Sequence, residues 1–351
     1  ALLWFKSYLY NIYQYVQLND NMSSTLKLTC GVPQGSILGP ILFLLYINDL
    51  AHTKINGVPI LFADDTNTLY EQPSYESLRR VMNRDLQILS DWFAQNKLSI
   101  NETKTKYIIF FSKHNAPPEN FEIYLNDIQL ERVGSTKFLG VYIEQTLSWK
   151  VHIDSICSRI SRITGVLSRL KFQLPGYVLQ TMYNSLFSSV MLYGLSIWGS
   201  SPKSHLDRIV KLQKKAVRHI GNAKYNSHTD PLFRNLKILK LHDAYKLQCC
   251  KLLYRKRLGT LHDYHSARLP LISRSRTRQL NDVLIFRTRT MLQTQSINYK
   301  IGHNWNSLPF NIKNEPIISL KSFSKKLKLL FVNKYQTHCS TSGCYVCRHF
   351  T

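Results

Sequence analysis

Leu61-Phe62-Ala63-Asp64-Asp65-Thr66-Asn67-Thr68-Leu69-Tyr70 sets two adjacent carboxylates between two short runs of strand-forming residues. The runs, Ile60 to Phe62 and Thr66 to Tyr70, predict a hairpin with Ala63-Asp64-Asp65 at its apex. Aspartate in a turn often has a purely local role, because its side chain satisfies nearby backbone donors. Two carboxylates aimed at one point have another use. They can hold divalent cations, Mg²⁺ or Mn²⁺, that activate a hydroxyl nucleophile and stabilise a leaving pyrophosphate. Successive strand residues point to opposite faces, so Asp64 is the expected principal ligand and Asp65 the secondary one.

Towards the amino end lies Gly31-Val32-Pro33-Gln34-Gly35-Ser36. It is either an ordinary loop before a helix or a loop whose two glycines let the backbone approach something large, with Gln34 offering both donor and acceptor. It lacks the Gly-Lys-Ser/Thr ending of a phosphate-cradling P-loop. Ser36 can cap a following helix that runs to about Asn48. The apolar run Ile37 to Ile47 is interrupted by Gly39 and Pro40 and falls short of the roughly 20 residues that span a bilayer. It reads as a buried helix, and no membrane partner is expected. Further out, Leu2 to Leu9 reads as a short helix, followed by a hairpin turning near Asn19-Asp20-Asn21. Beyond the acidic pair, Ser74 opens an amphipathic helix with Leu78, Val81, Met82, Leu86, Leu89 and Phe93 on one face. Tyr107 to Phe111 reads as a strand, and residues 121–130 and 138–143 as two more. This order is that of an α+β layer rather than an alternating parallel sheet.

From Val151 the pattern is helical. Four helices are expected, at about Val151 to Leu170, Val178 to Leu192, His205 to His219 and Leu241 to Arg257. The third turns Leu206, Ile209, Val210, Val217 and Ile220 inward and Lys211, Lys214, Lys215 and Arg218 outward. Charge changes at the same place: residues 1–150 hold 13 basic and 14 acidic side chains, residues 151–351 hold 33 and 7. A field of one sign confined to one half points to a polyanion held there, nucleic acid before a membrane surface, over a basic face kept for solubility. Hydrophobic content of 44% excludes a disordered chain. Seven cysteines without a secretory leader suggest reduced thiols in the cytosol or nucleus. Cys339, Cys344, Cys347 and His349, with His338 as alternative, could form a zinc site; a thiol-bearing tail without metal is the competing reading.

The loop and the acidic pair, in this order, resemble motifs B and C of reverse transcriptases: Gly31 to Pro40 looks like motif B, and Leu61 to Asp65 is similar to the Phe/Tyr-x-Asp-Asp turn. Leu98-Ser99-Ile100-Asn101-Glu102-Thr103-Lys104-Thr105 resembles motif D, and Phe138-Leu139-Gly140-Val141 the primer-grip turn of motif E. Trp4 to Leu9 and Trp305-Asn306-Ser307-Leu308-Pro309 point to the non-LTR, long-interspersed-element branch. The resemblance implies a right-hand polymerase palm, partial and with a remnant of the fingers, over residues 1–145. An all-α basic thumb over 146–260 and a basic carboxy-terminal region over 261–351 would follow. It implies that Asp64 and Asp65 bind Mg²⁺, that Pro33, Gln34, Gly35 and Ser36 contact template and nucleotide, and that Lys104 meets the leaving phosphate. Without that resemblance Lys104 is an exposed helix-end lysine. The implied partners are an RNA template, a DNA primer, deoxynucleoside triphosphates and the element RNA in a ribonucleoprotein, in nucleus and cytoplasm.

The family's palm also uses an aspartate in a Phe-x-Asp motif upstream of motif B. Asp20, in a polar turn, does not match it, so the sequence is read as beginning after that motif, with this chain alone expected to be inactive. A non-catalytic nucleic-acid-binding remnant and an intron-maturase-like protein stay open as alternatives.

Overall fold

The computed structural model describes residues 2–33, 35–111, 115–270, 282–285, 287–314, 316 and 318–336. They form two compact units, residues 1–134 and 135–351.

The first unit is mixed. Helix α1 (Leu2–Leu9) precedes a two-step antiparallel hairpin. In it β1 (Tyr13–Gln14) pairs with β4 (Leu26–Lys27), and β2 (Gln17–Leu18) with β3 (Asn21–Met22). The turn falls at Asn19-Asp20, as the sequence indicates, with Asn19 at φ 53°. Helix α2 (Gly39–Ile47) leads through a 3-10 turn to the hairpin of β5 (Val58–Phe62) and β6 (Asp65–Leu69). Helix α3 (Tyr75–Gln95) then starts from a capping box in which Ser74 and Ser77 exchange side-chain-to-backbone bonds. A parallel pair, β7 (Lys106–Tyr107) with β10 (Glu131–Arg132), brackets the small hairpin of β8 (Tyr124–Leu125) and β9 (Ile128–Gln129).

Two small cores hold this unit, and α3 contributes to both. Its amino half packs Tyr75, Leu78, Met82 and Leu86 against Tyr107, Ile109, Phe121, Ile123, Leu125 and Leu130. Its carboxy half puts Leu89, Trp92 and Phe93 against Phe43, Ile47, Leu50 and Leu61.

Four expectations need correction. Residues 121–130 are not one strand but hold the β8–β9 hairpin, turning at Asn126-Asp127, where both residues take positive φ (47° and 64°). Helix α2 is not buried: Ile41, Leu44, Leu45 and Tyr46 are 48–70% exposed, and only Gly39 and Ile47 are buried. An all-apolar helix has no stripe to say which face goes inward, so its pattern could not reveal this. The strand at 107–111 shrinks to Lys106–Tyr107. Residues 138–143 are not one strand but the turn and second arm of a hairpin.

In the second unit β11 (Ser135–Phe138) and β12 (Val141–Glu144) form that hairpin, followed by helices. The Glu144 carboxylate accepts from Val151 N–H (3.2 Å) and Ser148 Oγ–H (3.0 Å), placing negative charge at the start of α4 (Lys150–Leu170). Then come α5 (Gly176–Met182), a π-turn at Tyr183–Ser188, α6 (Ser189–Leu192), α7 (Leu195–Trp198) and α8 (Lys203–Ile220). After these, α9 (Asp230–Asn235), α10 (Leu241–Arg257), α11 (Asp263–Arg268), α12 (Met291–Gln295), α13 (Ile297–Asn306), α14 (Phe310–Asn314) and α15 (Leu320–Asn333) complete the unit. The 3–4 spacing of Ile153, Ile156, Ile160 and Leu167 on α4 buries that stripe against α8. One core runs on to Trp198, Trp305, Phe323 and Phe331, so Trp305 is a packing residue. A buried polar clamp ties its middle together. Gln213 donates to Tyr183 Oη (3.0 Å) and the Leu239 carbonyl (2.8 Å), and accepts from Leu241 N–H (3.1 Å). Among the described residues no helix is long and apolar enough to cross a membrane.

Candidate active site and nucleic-acid interface

The acidic pair sits at the tip of a two-residue hairpin in which Phe62 pairs with Asp65, leaving Ala63 and Asp64 as the turn. Ala63 has φ 52°, a left-handed conformation uncommon for a residue with a Cβ. Both aspartates are exposed, and among the described residues neither carboxylate takes a hydrogen bond or ion pair. The local-turn role is therefore not what these side chains perform. They leave hard oxygen donors facing outward. Mg²⁺ is commonly held by one or two carboxylates, with water and substrate phosphate completing its shell, and the pair fits part of such a site. No group of three or more His, Cys, Asp or Glu that could hold a metal occurs among the described residues.

The hairpin is anchored at its other end by a residue the sequence reading passed over. Asp85 of α3 is fully buried. Its carboxylate accepts from the backbone N–H of Asn56 (2.6 Å) and Gly57 (3.0 Å) and from Asn56 Nδ2 (3.3 Å), just ahead of β5. Gly57 fits tightly there, since a Cβ would stand 2.5 Å from the Tyr70 ring. The signal was legible: Asp85 lies on the apolar stripe of α3, between Met82 and Leu86, where a charge has to find partners.

Of the loop at 31–36, Gly31 and Gly35 take positive φ (87° and 80°), and Pro33 and Ser36 are half-buried; Gln34 lies outside the described residues. Ser36 does not occupy the cap position, which is Leu38, yet its Oγ accepts the Gly39 N–H at 3.0 Å and serves the first turn of α2. Through Phe43, Ile47 and Leu61, α2 and β5 share one core, which joins the loop's helix to the acidic hairpin. Lys104 is exposed in a turn rather than at a helix end; its N–H donates to Asn101 Oδ1 at 3.1 Å.

In the second unit, Phe138, Leu139 and Gly140 form the β11–β12 turn, with φ 45° at Leu139 and 83° at Gly140. The phenol of Tyr193 donates to the Leu139 carbonyl at 2.6 Å, clasping the turn from the end of α6. On α8, Lys211 and Lys215 are exposed and Lys214 is half-buried. Arg218 differs, because its Nε donates to the Ser227 carbonyl at 2.9 Å, and burial lowers its pKa. The zinc candidates Cys339, Cys344, Cys347 and His349 lie outside the described residues. Cys157, Cys249 and Cys250 are free and buried, Cys30 free and exposed.

Residues 1–143 match the family "Reverse transcriptase (RNA-dependent DNA polymerase)". The chain is 29% identical over 266 residues to the RNA-directed DNA polymerase from mobile element jockey of Drosophila melanogaster, covering 72% of this chain and 28% of that protein. It is 28% identical over 247 residues to the probable RNA-directed DNA polymerase from transposon X-element of the same fly, covering 68% and 27%. With a Pol polyprotein from type-1 retrotransposable element R1 of Nasonia vitripennis it shares 25% identity over 197 residues, 53% of this chain and 58% of that protein. The matched part spans little more than a quarter of the first two relatives. Through residues 1–143 and along these relatives, the chain is similar to the reverse transcriptases of non-LTR retrotransposons.

Proposed function

We propose that this chain carries part of an RNA-directed DNA polymerase site. In this reading Asp64 and Asp65 hold Mg²⁺ or Mn²⁺, the loop at 33–36 meets template and nucleotide, and Lys104 faces the leaving phosphate. The observation that carries it is the hairpin tip, where two adjacent carboxylates without internal partners are held out by a strained Ala63. Bound there, the cations supply charge stabilisation of the transferring phosphoryl group and an activated primer 3′-hydroxyl. The protein's own work is placement. Asp85 fixes the base of the hairpin, a shared core joins β5 to the helix that follows the loop, and the Lys104 ammonium offers a compact positive charge to polyphosphate. RNA template, DNA primer and deoxynucleoside triphosphates are the proposed substrates, with the element RNA as ribonucleoprotein partner.

The second reading, a non-catalytic nucleic-acid-binding protein, is favoured by the two-carboxylate count: among the described residues no third acidic side chain joins the turn. Primer extension on an RNA template separates the two. Residues 1–351 are compared with a form that adds a Phe-x-Asp strand ahead of Ala1. Extension is expected from the longer form and little from the shorter. In the longer form Asp64→Ala or Asp65→Ala should abolish synthesis while template affinity stays nearly unchanged, because phosphate contacts survive the loss of a metal ligand. Undiminished synthesis with both aspartates replaced would overturn the site. No synthesis from either form would favour the binding-only reading.

A further inference from the structure

At one end of the α4–α8 pair the second unit gathers exposed aromatic rings among cations. Phe172, just past α4, is 78% exposed, Tyr177 at the start of α5 is 73% exposed, and Tyr225 in the loop after α8 is 81% exposed. Large rings left this open in a chain with 44% hydrophobic residues have not been used for packing. Several contacts show that they share a neighbourhood. A Cβ on Gly176 would stand 3.5 Å from the carbonyl oxygen of Ile220, so the loop at 171–177 lies against the end of α8. The Lys171 ammonium sits 4.5 Å from the centre of the Phe172 ring. Arg218 reaches from α8 to the Ser227 carbonyl, and the Arg218 carbonyl accepts the Ala223 N–H at 2.9 Å, which orders the loop bearing Tyr225. Burial lowers the His219 pKa first, and the charges of Lys171, Lys215 and Arg218 lower it further, so these cations converge on one spot.

Cations alone would suit any polyanion, and rings alone any apolar partner. Interleaved, they suit a strand whose phosphates meet the cations and whose unpaired bases lie flat on the rings. A duplex, with its bases already stacked on one another, could use only the cations.

We propose that Phe172, Tyr177 and Tyr225, framed by Lys171, Lys215 and Arg218, form a stacking platform for single-stranded RNA at this end of the helical unit. The choice of RNA rests on the reverse transcriptase reading above; the stacking does not. The platform would hold unpaired template and does not draw on Lys211 or Lys214, further back along α8.

The test uses residues 1–351 and end-labelled oligonucleotides, read by fluorescence anisotropy. One RNA carries bases; a second has the same number of phosphates and no bases; a third is DNA of the same sequence as the first. The base-bearing RNA is expected to bind at least about tenfold more tightly than the abasic one. Single Phe172→Ala, Tyr177→Ala and Tyr225→Ala changes should each weaken it by about 5- to 100-fold, with the salt slope unchanged. Phe172→Trp should retain affinity. All three rings are exposed, so these variants are not expected to unfold the chain, and an unchanged thermal midpoint checks that. Equal affinity for base-bearing and abasic RNA, or indifference to all three alanines, would overturn the platform. A preference for the DNA strand would overturn the assignment to RNA. Loss of base dependence leaves the polymerase reading intact, which stands or falls separately on primer extension.

Discussion

Asp85 shows how much a single buried carboxylate can do for a site it does not enter. It replaces water for the N–H groups of Asn56 and Gly57 at the root of the acidic hairpin, 28 residues away from Gly57 in sequence. Removing it strands the buried Gly57 N–H in a dry environment, at roughly 1–3 kcal/mol for an unsatisfied group, while exposed Asn56 can turn to water. Asp85→Ala should therefore lower the denaturant midpoint of the full chain clearly, and Asp85→Asn, which keeps an acceptor oxygen, should cost less. Equal midpoints for wild type and Asp85→Ala would remove the anchor from the account. His152 carries a prediction of another kind. It is buried on α4, accepts the Tyr142 N–H at Nδ1 (3.4 Å), and has no partner at Nε2 among the described residues. Burial lowers its pKa below the ordinary imidazole value of 6.5. The folded chain thus binds fewer protons than the unfolded one as pH falls through 6.5, so the contribution of neutral His152 is present above that value and is lost progressively below it. Thermal midpoints measured between pH 7.5 and 5 should fall on acidification, and His152→Gln should fall less steeply over the same range.

At the scale of elements, the β5–β6 and β11–β12 hairpins are tight turns stabilised in different ways. The β5–β6 turn tolerates positive φ at an alanine and is secured from its base by α3. The β11–β12 turn has a glycine at its second position and is secured from its tip, where Tyr193 donates to Leu139 across 54 residues of sequence. Gly140 has φ 83°, and a Cβ there would stand 3.2 Å from the Tyr193 ring. Gly140→Ala therefore meets both backbone strain, about 1–2 kcal/mol, and the phenol that clasps the turn. Tyr193→Phe removes only the hydrogen bond, worth about 0.5–1.5 kcal/mol. Amide hydrogen exchange at residues 138–141 should speed up modestly in Tyr193→Phe and more in Gly140→Ala. Unchanged protection in both would show that the clasp does not hold the turn.

Across the whole molecule the acidic hairpin belongs to one unit, and the β11–β12 turn with the basic helices to the other. Within the second unit much of the scarce acid is already engaged: Asp154 pairs with Arg208, Asp230 with Lys240, and Asp282 with Lys313, while Asp243 accepts from Tyr335. Among the described residues, the exposed Lys211 and Lys215 of α8 have no acidic partner. Replacing Lys211, Lys214 and Lys215 by Ala should weaken binding of any nucleic acid sequence and flatten the dependence of log affinity on log salt by up to about 2–3 units. A filter-binding titration at several salt concentrations measures this, and a slope unchanged by the triple substitution would remove α8 from the interface. Arg218 is left out of that set because its guanidinium already serves the Ser227 carbonyl.

Much that is local was legible in the residues alone. The Ala63-Asp64-Asp65 apex, the Ser74 start of α3, the span of α10 and the outward lysines of α8 follow from turn chemistry and helical periodicity, which act over a few residues. The order of the motifs was enough to point to a reverse transcriptase. Which face of the apolar α2 stays open, that Asp85 holds the root of the acidic hairpin, that Tyr193 clasps Leu139, and that Lys171 comes to the charges of Lys215 and Arg218 beside His219 were decided only by the tertiary structure. The physical reason is distance along the chain. Each of these depends on partners tens of residues apart, and a hydrophobic pattern states only that a side chain needs covering, not what will cover it.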